Sequence, residues 1–350
     1  MIKTFRYRVK SKAGLLDRWG RAVNFVWNFC NNTQKKALEY GRKWPSGYDL
    51  AKLTAGSSKE LGLNSATIQL VGLQYEKSRS QKKRPFLRYR GRKSLGWVPV
   101  RQDCIRRDGA DTFRFSGISF RVFMSRLLPE GKIKDGSSFS CDSRGRWYLN
   151  IAIEVPNAEA REPIRGVGID LGLKEFACLS TGEKIGNPRW FRNLESKLKG
   201  VQRANKKRQV TNLHAKIRNA RLDFHHKVST RIVKAFDYIA VGNVNASGLA
   251  KTKMAKSVLD AGWSSFRNML RYKAITHGAW YSEVDEKFTT QVCSNCGNLP
   301  NSRPKGIADL GIRSWICSDC GVSHDRDHNA ALNILTRAGH CTLAEGIPVL

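Results

Sequence analysis

The chain has 350 residues, with 62 Lys and Arg against 29 Asp and Glu and a net charge of +33. A chain of this length buries more than one core, so we expect two or three domains. The basic excess predicts a nucleic-acid partner rather than a membrane, because the sequence has no run of about 18 apolar residues that could span a bilayer. A ribosomal-type basic surface without chemistry is the alternative interpretation.

The N-terminal half combines strand and helix signals. Residues 2–9 alternate and predict a strand, and apolar residues recur at helical spacing from Leu15 to Cys30. We expect a small helical unit to about residue 80, with its aromatic residues in the core. Further strands are predicted at 112–115, 118–122 and 147–155. This order is typical of a small antiparallel β-barrel with a helical unit inserted after its first strand.

A strongly basic segment joins these elements. Between Lys77 and Arg107 lie twelve basic residues and one acid, Asp103. Pro85 and Gly91 argue against a helix through this segment. We interpret it as a contact for backbone phosphates. A solvated charge run is the alternative.

The second half has an α/β pattern that follows a polar linker at 156–163, the predicted domain boundary. Strands are predicted at 167–171, 176–180, 238–241 and near 280–284. Between Arg189 and Lys234 lie fourteen Lys and Arg and two acids, on two helices with apolar stripes. The opposite faces of these helices are expected to contact nucleic acid. Further helices are predicted through Trp263 and at 329–335, and residues 340–350 as a loose tail.

Four of the nine cysteines form two Cys-x-x-Cys pairs with twenty residues between them: Cys293, Cys296, Cys317 and Cys320. This spacing predicts a structural zinc site closed by four thiolates. The other five are expected to be buried or idle thiols: Cys30, Cys104, Cys141, Cys178 and Cys341. A reducing cytosol fits this cysteine usage, and the N-terminus lacks the apolar core of a signal peptide.

Two isolated acids predict a metal-dependent site. Asp170 ends the predicted strand at 167–171, and Asp327 enters the last helix seven residues after Cys320. Ligands of open α/β sheets bind at the carboxyl ends of strands. Phosphodiester hydrolysis with magnesium needs two or three carboxylates around two cations about 4 Å apart. Each motif alone is weak, because many strands end in an Asp that caps a helix, but together with the cysteines and the basic helices they predict a nuclease.

Other polar residues near these motifs receive simpler interpretations. Asp325 is predicted to be the N-cap of the last helix, and Asn329 to hold backbone or a phosphate oxygen. For His324 and His328, contact with a phosphate or with solvent is favoured over a metal-binding role. The remaining histidines lack a ligand partner at suitable spacing, and RNA contact or packing is expected for all three: His214, His225 and His226.

Five segments together resemble the TnpB family of transposon-encoded RNA-guided nucleases, which are related to the type V CRISPR effectors. They are GIDLG (168–172), FHHKVS (224–229), LDAGWSSF (259–266), TTQVCSNCG (289–297) and DRDHNAA (325–331). The resemblance is strong over 165–337 and weaker, in layout alone, before it. It implies a guide RNA from the transposon end, a short motif beside the target, and magnesium-dependent cleavage of double-stranded DNA in the prokaryotic cytosol.

The resemblance also implies a domain order. A wedge β-barrel would occupy 1–10 and 85–157, and a helical recognition domain 11–84. A RuvC nuclease domain with an RNase H-like α/β sheet would occupy 163–290 and 324–337, interrupted by a zinc ribbon at 291–323 and followed by a tail at 338–350. Asp170 and Asp327 match two of the family's catalytic acids.

One position departs from the family. The second catalytic acid is usually a Glu at the end of the fourth strand, where this chain has Gly242. We predict that the carboxylate has moved to the next strand, with Glu286 as first choice and Glu283 as second, because parallel neighbouring strands bring their carboxyl ends together. A guided DNA-binding repressor without nuclease activity is the alternative. A plain zinc-ribbon RNA-binding protein would leave the paired acids unexplained.

Overall fold

The computed structural model describes residues 1–81, 84–305, 309 and 311–339. The chain divides into two compact units at Pro156/Asn157, where the polar linker begins. Residues 82 and 83 of the basic segment, most of the predicted tail and Cys341 lie outside the described residues. Within the described part, no helix has the length and apolar character needed to cross a membrane.

The first unit contains a seven-stranded antiparallel sheet with the order β2-β6-β7-β1-β5-β4-β3. β1 lies at its centre and pairs with β7 along most of its length. The predicted strands are present. β6 was not predicted, because its first half is polar. Its pairing with β7 also shifts register between Lys134 and Ser138. The strands are β1 (Ile2–Val9), β2 (Trp97–Pro99), β3 (Ile105–Arg107), β4 (Thr112–Phe115), β5 (Ile118–Phe123), β6 (Ile133–Cys141) and β7 (Trp147–Glu154).

Four helices lie between β1 and β2: α1 (Ala13–Glu39), α2 (Gly47–Leu53), α3 (Ser58–Leu61) and α4 (Ser65–Gln81). The apolar stripe of α1 is buried together with the sheet in one hydrophobic cluster, so helices and strands share a core. Trp19 and Trp27 belong to this core, as the spacing predicted. Trp44 and Tyr48 do not, because they are 42% and 67% exposed.

The second unit contains a five-stranded sheet with the order β10-β9-β8-β11-β12. β8, β9 and β10 are antiparallel neighbours, whereas β11 runs parallel to both β8 and β12. The carboxyl ends of β8, β11 and β12 therefore meet at one edge of the sheet. The strands are β8 (Gly166–Leu171), β9 (Glu175–Leu179), β10 (Lys184–Gly186), β11 (Tyr238–Gly242) and β12 (Trp280–Val284).

Helices cover both faces of this sheet. Val167 and Ile169 pack with α6 and α9 on one face, and the intervening Gly168 faces α10 on the other. A short hairpin, β13 (Ser314–Ile316) and β14 (Ser323–Asp325), precedes α10. The helices are α5 (Trp190–Arg203), α6 (Lys207–Ala235), α7 (Ala246–Leu249), α8 (Ala255–Ala261), α9 (Trp263–His277) and α10 (Arg326–Arg337).

Candidate active site

Asp170 lies near the carboxyl end of β8 on the face that α10 covers. Gly168, two residues earlier on the same face, lets the helix approach closely. A Cβ built at Gly168 would lie 2.0 Å from the carbonyl oxygen of Ala331, so this position accommodates no side chain. The tight contact fixes the first turns of α10 beside the end of β8.

Gly242 lies beside Asp170 on the neighbouring strand. The parallel register pairs Ile169 with Val241, so the next step along the two strands places Asp170 alongside Gly242. The side chain of Glu286 fills the space that Gly242 leaves empty: its Oε2 lies 2.9 Å from the position of a Cβ on that glycine. The carboxylate of Glu286 therefore lies over Gly242, which neighbours Asp170 on the adjacent strand.

Glu283 lies on the opposite face of the sheet. It pairs with Val241 in the ladder between β11 and β12, one residue before the pair formed by Gly242 and Val284. Its carboxylate binds two arginines of α9, with Arg271 Nη2 at 2.5 Å and Arg267 Nη1 at 3.4 Å. Tyr281 also donates to it. Because neighbouring residues of a strand face opposite sides, Glu283 points away from Asp170.

Asp327 is in the first turn of α10. Asp325 is the N-cap, as predicted, since its Oδ1 accepts from the backbone N–H groups of Asp327 and His328. Lys184 lies 2.6 Å from the other oxygen of Asp325. Asp325 is engaged in the helix cap and in this ion pair. Asp327 is therefore the acid of this turn that faces Asp170. Arg313 contacts both oxygens of Asp327, at 3.2 and 3.4 Å.

The electrostatics show that three acids share one environment, which we call the carboxylate site: Asp170, Glu286 and Asp327. The pKa of Asp170 is raised to about 8, first by burial and then by the negative charges of Asp327 and Glu286, against the opposing effect of Arg326 and Arg313. Burial also raises the pKa of Glu286, while Arg267 opposes that shift. Carboxylates in a poorly solvated environment repel one another, and a bound cation offsets this repulsion.

The four paired cysteines form a second cluster, the cysteine site. Their sulfur atoms all lie within 4.8 Å of one another, a spacing that no other group of possible metal ligands in the described residues reaches, the three carboxylates included. Cys293 and Cys320 are 3.6 Å apart, and Cys296 and Cys317 are 3.8 Å apart. A tetrahedron with Zn–S bonds of about 2.3 Å has edges of about 3.8 Å, whereas a disulfide needs about 2.05 Å. The cluster can therefore hold zinc.

Two asparagines of α10 support the cysteine site, and the sequence predicted only one of them. Asn329 holds backbone, as expected: it donates to the carbonyls of Thr289 and Val292 and accepts from the N–H of Ser294. Asn333, one turn later, donates to the same two carbonyls. The spacing could have predicted this role, because residues four apart in a helix lie on the same face.

The predicted contact of His324 with a phosphate or with solvent is wrong. This residue is buried, stacks on Trp315, and places its Nε2 3.0 Å from the sulfur of Cys293. The sequence could not show this, because the contact depends on the β13–β14 hairpin folding back over the first cysteine pair. His328 instead contacts the carbonyl oxygen of Ser180 at 3.0 Å.

The other predicted minor residues have structural roles. His225 is buried in the core of the second unit, where its Nε2 lies 2.9 Å from the carbonyl of Ala261 and burial lowers its pKa to about 4. His225 therefore has the packing role, one of the two roles predicted for it. Cys30 and Cys178 are buried thiols, as predicted, and Cys104 and Cys141 are partly exposed.

Comparisons with known proteins agree with this architecture. Residues 263–334 match the family model "Cas12f1-like, TNB domain", and residues 150–253 match "Probable transposase" of the OrfB_IS605 type. A relative from Streptomyces pristinaespiralis, named "Putative RNA-guided DNA endonuclease", is 33% identical over 95% of this chain and 88% of its own length. A "TnpB-like protein" of Acanthamoeba polyphaga mimivirus is 33% identical over 63% of this chain and 47% of its own length.

The fold has a counterpart among solved structures. The Cas12f1 chain of a cryo-EM complex with sgRNA and target DNA superimposes with a TM-score of 0.60 at 14% identity, over 92% of this chain and 82% of that one. The mixed α/β fold of this chain therefore resembles that of Cas12f1. The extent of the Streptomyces match shows that the chain belongs to the TnpB family.

Proposed function

We propose that this protein is an RNA-guided, magnesium-dependent endonuclease that cleaves double-stranded DNA beside a short flanking motif. The observation that carries the proposal is the position of Glu286, whose carboxylate fills the space over Gly242 next to Asp170. A chain that had lost its nuclease would have no chemical need of a carboxylate there. The names of its relatives, RNA-guided DNA endonuclease and TnpB-like protein, support the same activity.

Asp170, Glu286 and Asp327 would be the metal-binding acids. Their donor set consists only of carboxylate oxygens, which suits magnesium, and their mutual repulsion is what divalent cations would relieve. Two magnesium ions held there would supply an activated water and stabilisation of the leaving oxygen.

The chain's own residues would position the substrate. Beside Glu286 opens a groove of about 620 Å³. Its polar lining offers amide, hydroxyl and cationic donors to a phosphate backbone: Asn243, Asn245, Ser247, Ser264, Arg267 and Lys287. Arg313, which pairs with Asp327, would turn to a phosphate oxygen of the substrate.

The domain assignments follow the same proposal. The seven-stranded sheet would be the wedge barrel, with the helices of 11–84 as recognition domain. The five-stranded sheet would be the RuvC domain, and residues 291–323 a zinc ribbon whose four thiolates hold Zn²⁺. The protein would act in the prokaryotic cytosol.

Plasmid cleavage tests the assignment of the acids. The full chain, copurified with its flanking transposon RNA, would be assayed with magnesium on a target beside a randomised motif. We expect Glu286→Gln and Asp170→Asn each to lower the cleavage rate by more than about a hundredfold, because each removes a metal ligand. Glu283→Gln is the matched control, with the same chemistry on the opposite face, and should retain activity within about tenfold.

A relocation variant makes the test sharper. In Glu286→Ala the space over Gly242 is vacated, so the added change Gly242→Glu should restore part of the cleavage. Full activity of Glu286→Gln would exclude this glutamate as the third acid. A wild-type complex that binds its target and never nicks it would favour the guided repressor instead.

A further inference from the structure

A cleft in the second unit lies apart from the carboxylate site. It opens between α5, α6 and α8, has a volume of about 350 Å³, and is called the α5/α8 cleft here. Phe191, Ile217 and Leu259 form an apolar lining, and Leu259 is 64% exposed. Four basic side chains and one acid complete it: His214, Arg218, Arg221, Lys256 and Asp260.

Asp260 has one oxygen without a hydrogen-bond partner. The residue is only 6% exposed, and its Oδ2 accepts from the backbone N–H of Phe191 at 2.9 Å. It thereby caps α5, whose own N-cap residue, Arg189, is left-handed and offers no side-chain cap. Oδ1 is buried and accepts no hydrogen bond from the described residues. The nearest cation, Arg221 Nη1, is 3.9 Å away, beyond hydrogen-bond distance.

A buried carboxylate oxygen without a donor is costly, and it favours a ligand that supplies one. The cationic side chains around it differ in availability. Arg221 donates to the carbonyl of Leu259, and Lys256 pairs with Glu195 at 3.2 Å. His214 and Arg218 are exposed, and neither has an ion pair or hydrogen bond with the part of the chain that the structure describes.

Apolar lining, one unsatisfied acceptor and free cations at the rim together complement a nucleotide. We propose that the α5/α8 cleft binds a single unstacked nucleobase of the bound RNA. The base lies on Phe191 and Leu259, its exocyclic amine donates to Asp260 Oδ1, and the adjoining phosphate contacts Arg218. Base stacking on an aromatic ring is worth about 1–3 kcal/mol in such sites.

RNA fits this cleft better than the other polymers that a basic rim attracts. Proteins read RNA at loops and bulges whose bases are unstacked, whereas duplex DNA keeps its bases inside the helix. An acidic peptide would satisfy the cations but would bring further carboxylates toward Asp260. The inference rests on the proposed function, because it takes the RNA partner as given.

Photocrosslinking localises such a contact. The full chain, freed of nucleic acid, would be irradiated with a single-stranded RNA 10-mer that carries one 5-iodocytidine, at about 0.3 M salt to weaken non-specific phosphate binding. A second probe carries 5-iodouridine, which presents a carbonyl where cytosine presents its amine. Mass spectrometry then reads the crosslinked peptides.

We expect the yield of the crosslink to Phe191 to be about tenfold higher with the cytidine probe than with the uridine probe. This is the gain in affinity expected from one hydrogen bond to a charged group. Asp260→Asn keeps an acceptor for the cap of α5 and should abolish this preference. Asp223→Asn, which removes the same charge from an exposed position of α6, should leave it intact.

Three results would overturn the inference. They are no crosslink to Phe191, equal yields for the two RNA probes with the wild type, or a stronger crosslink with a DNA 10-mer that carries the corresponding iodinated deoxycytidine. The wild-type comparison needs no variant to fold. The readout involves no cleavage, so a failure here leaves the plasmid assay unaffected, and an inactive nuclease would still give the crosslink.

Discussion

Asp170→Asn should stabilise the protein in the absence of metal. The carboxyl of Asp170 has a pKa of about 8 in the folded protein, raised first by burial and then by Asp327 and Glu286. In the unfolded chain an aspartate ionises near pH 3.9. At pH 7, about three pH units above the pKa in the unfolded chain, the folded protein keeps this carboxyl protonated. At about 1.4 kcal/mol per unit, this lowers the free energy of unfolding by at most about 4 kcal/mol. An asparagine has no such cost.

The sign of the pH dependence follows from the same shift. Between about pH 4 and pH 8 the folded protein binds more protons at Asp170 than the unfolded chain, so the stability of the wild type falls as pH rises. Asp170→Asn removes this slope. We expect the variant to be more stable by about 1–4 kcal/mol at pH 7, and by less at pH 5.

Urea unfolding in magnesium-free buffer without a chelator, which would also strip the cysteine site, measures the difference by tryptophan fluorescence. The contrasting variant is Asp325→Ala, two residues before Asp327. Hydrogen bonds at the N-terminus of α10 and the pair with Lys184 lower the pKa of Asp325 against the effect of burial. It therefore contributes stability above the unfolded pKa that is lost as pH falls, and Asp325→Ala should cost about 1 kcal/mol at pH 7.

Added magnesium should reverse the order. It should stabilise the wild type and have no effect on Asp170→Asn, because ligand binding to the folded state raises stability only where a site exists. An Asp170→Asn protein that is less stable than wild type at pH 7 without metal would refute the reasoning. So would equal stabilisation of both proteins by magnesium.

Three further predictions concern the framework. Gly168→Ala should destabilise the protein by about 3 kcal/mol or more in urea unfolding, since its Cβ would meet the Ala331 carbonyl at 2.0 Å; an unchanged midpoint would mean that α10 is mobile there. Asn329→Ala removes three hydrogen bonds to backbone and should cost about 2–3 kcal/mol in the same experiment. A loss within about 0.5 kcal/mol, the size of a typical surface change, would contradict its anchoring role. Elemental analysis should find one zinc per chain in the wild type and less in Cys317→Ser; zinc-free wild type purified without chelator would contradict the site.

Features that depend on neighbours along the chain could be predicted from the amino-acid pattern. The alternation in β1 and β7 and the helical stripe of α1 identified these elements, because residues that share a face recur at fixed spacing. The cysteine pairs identified a four-sulfur cluster, since two residues between cysteines suit one tetrahedral ion. Asp325 was identified as an N-cap from its place before a helix.

Which of these features come into contact depends on the folding of distant segments against one another. Both Glu283 and Glu286 were candidates for the acid missing at Gly242, and the register of β12 on β11 distinguishes them. Glu283 faces the arginines of α9. The chain beyond Val284 instead brings Glu286 back over Gly242. The unsatisfied oxygen of Asp260 likewise arises where α8 meets the start of α5. Such contacts join residues far apart in the chain, and their geometry is set by packing that no local pattern contains.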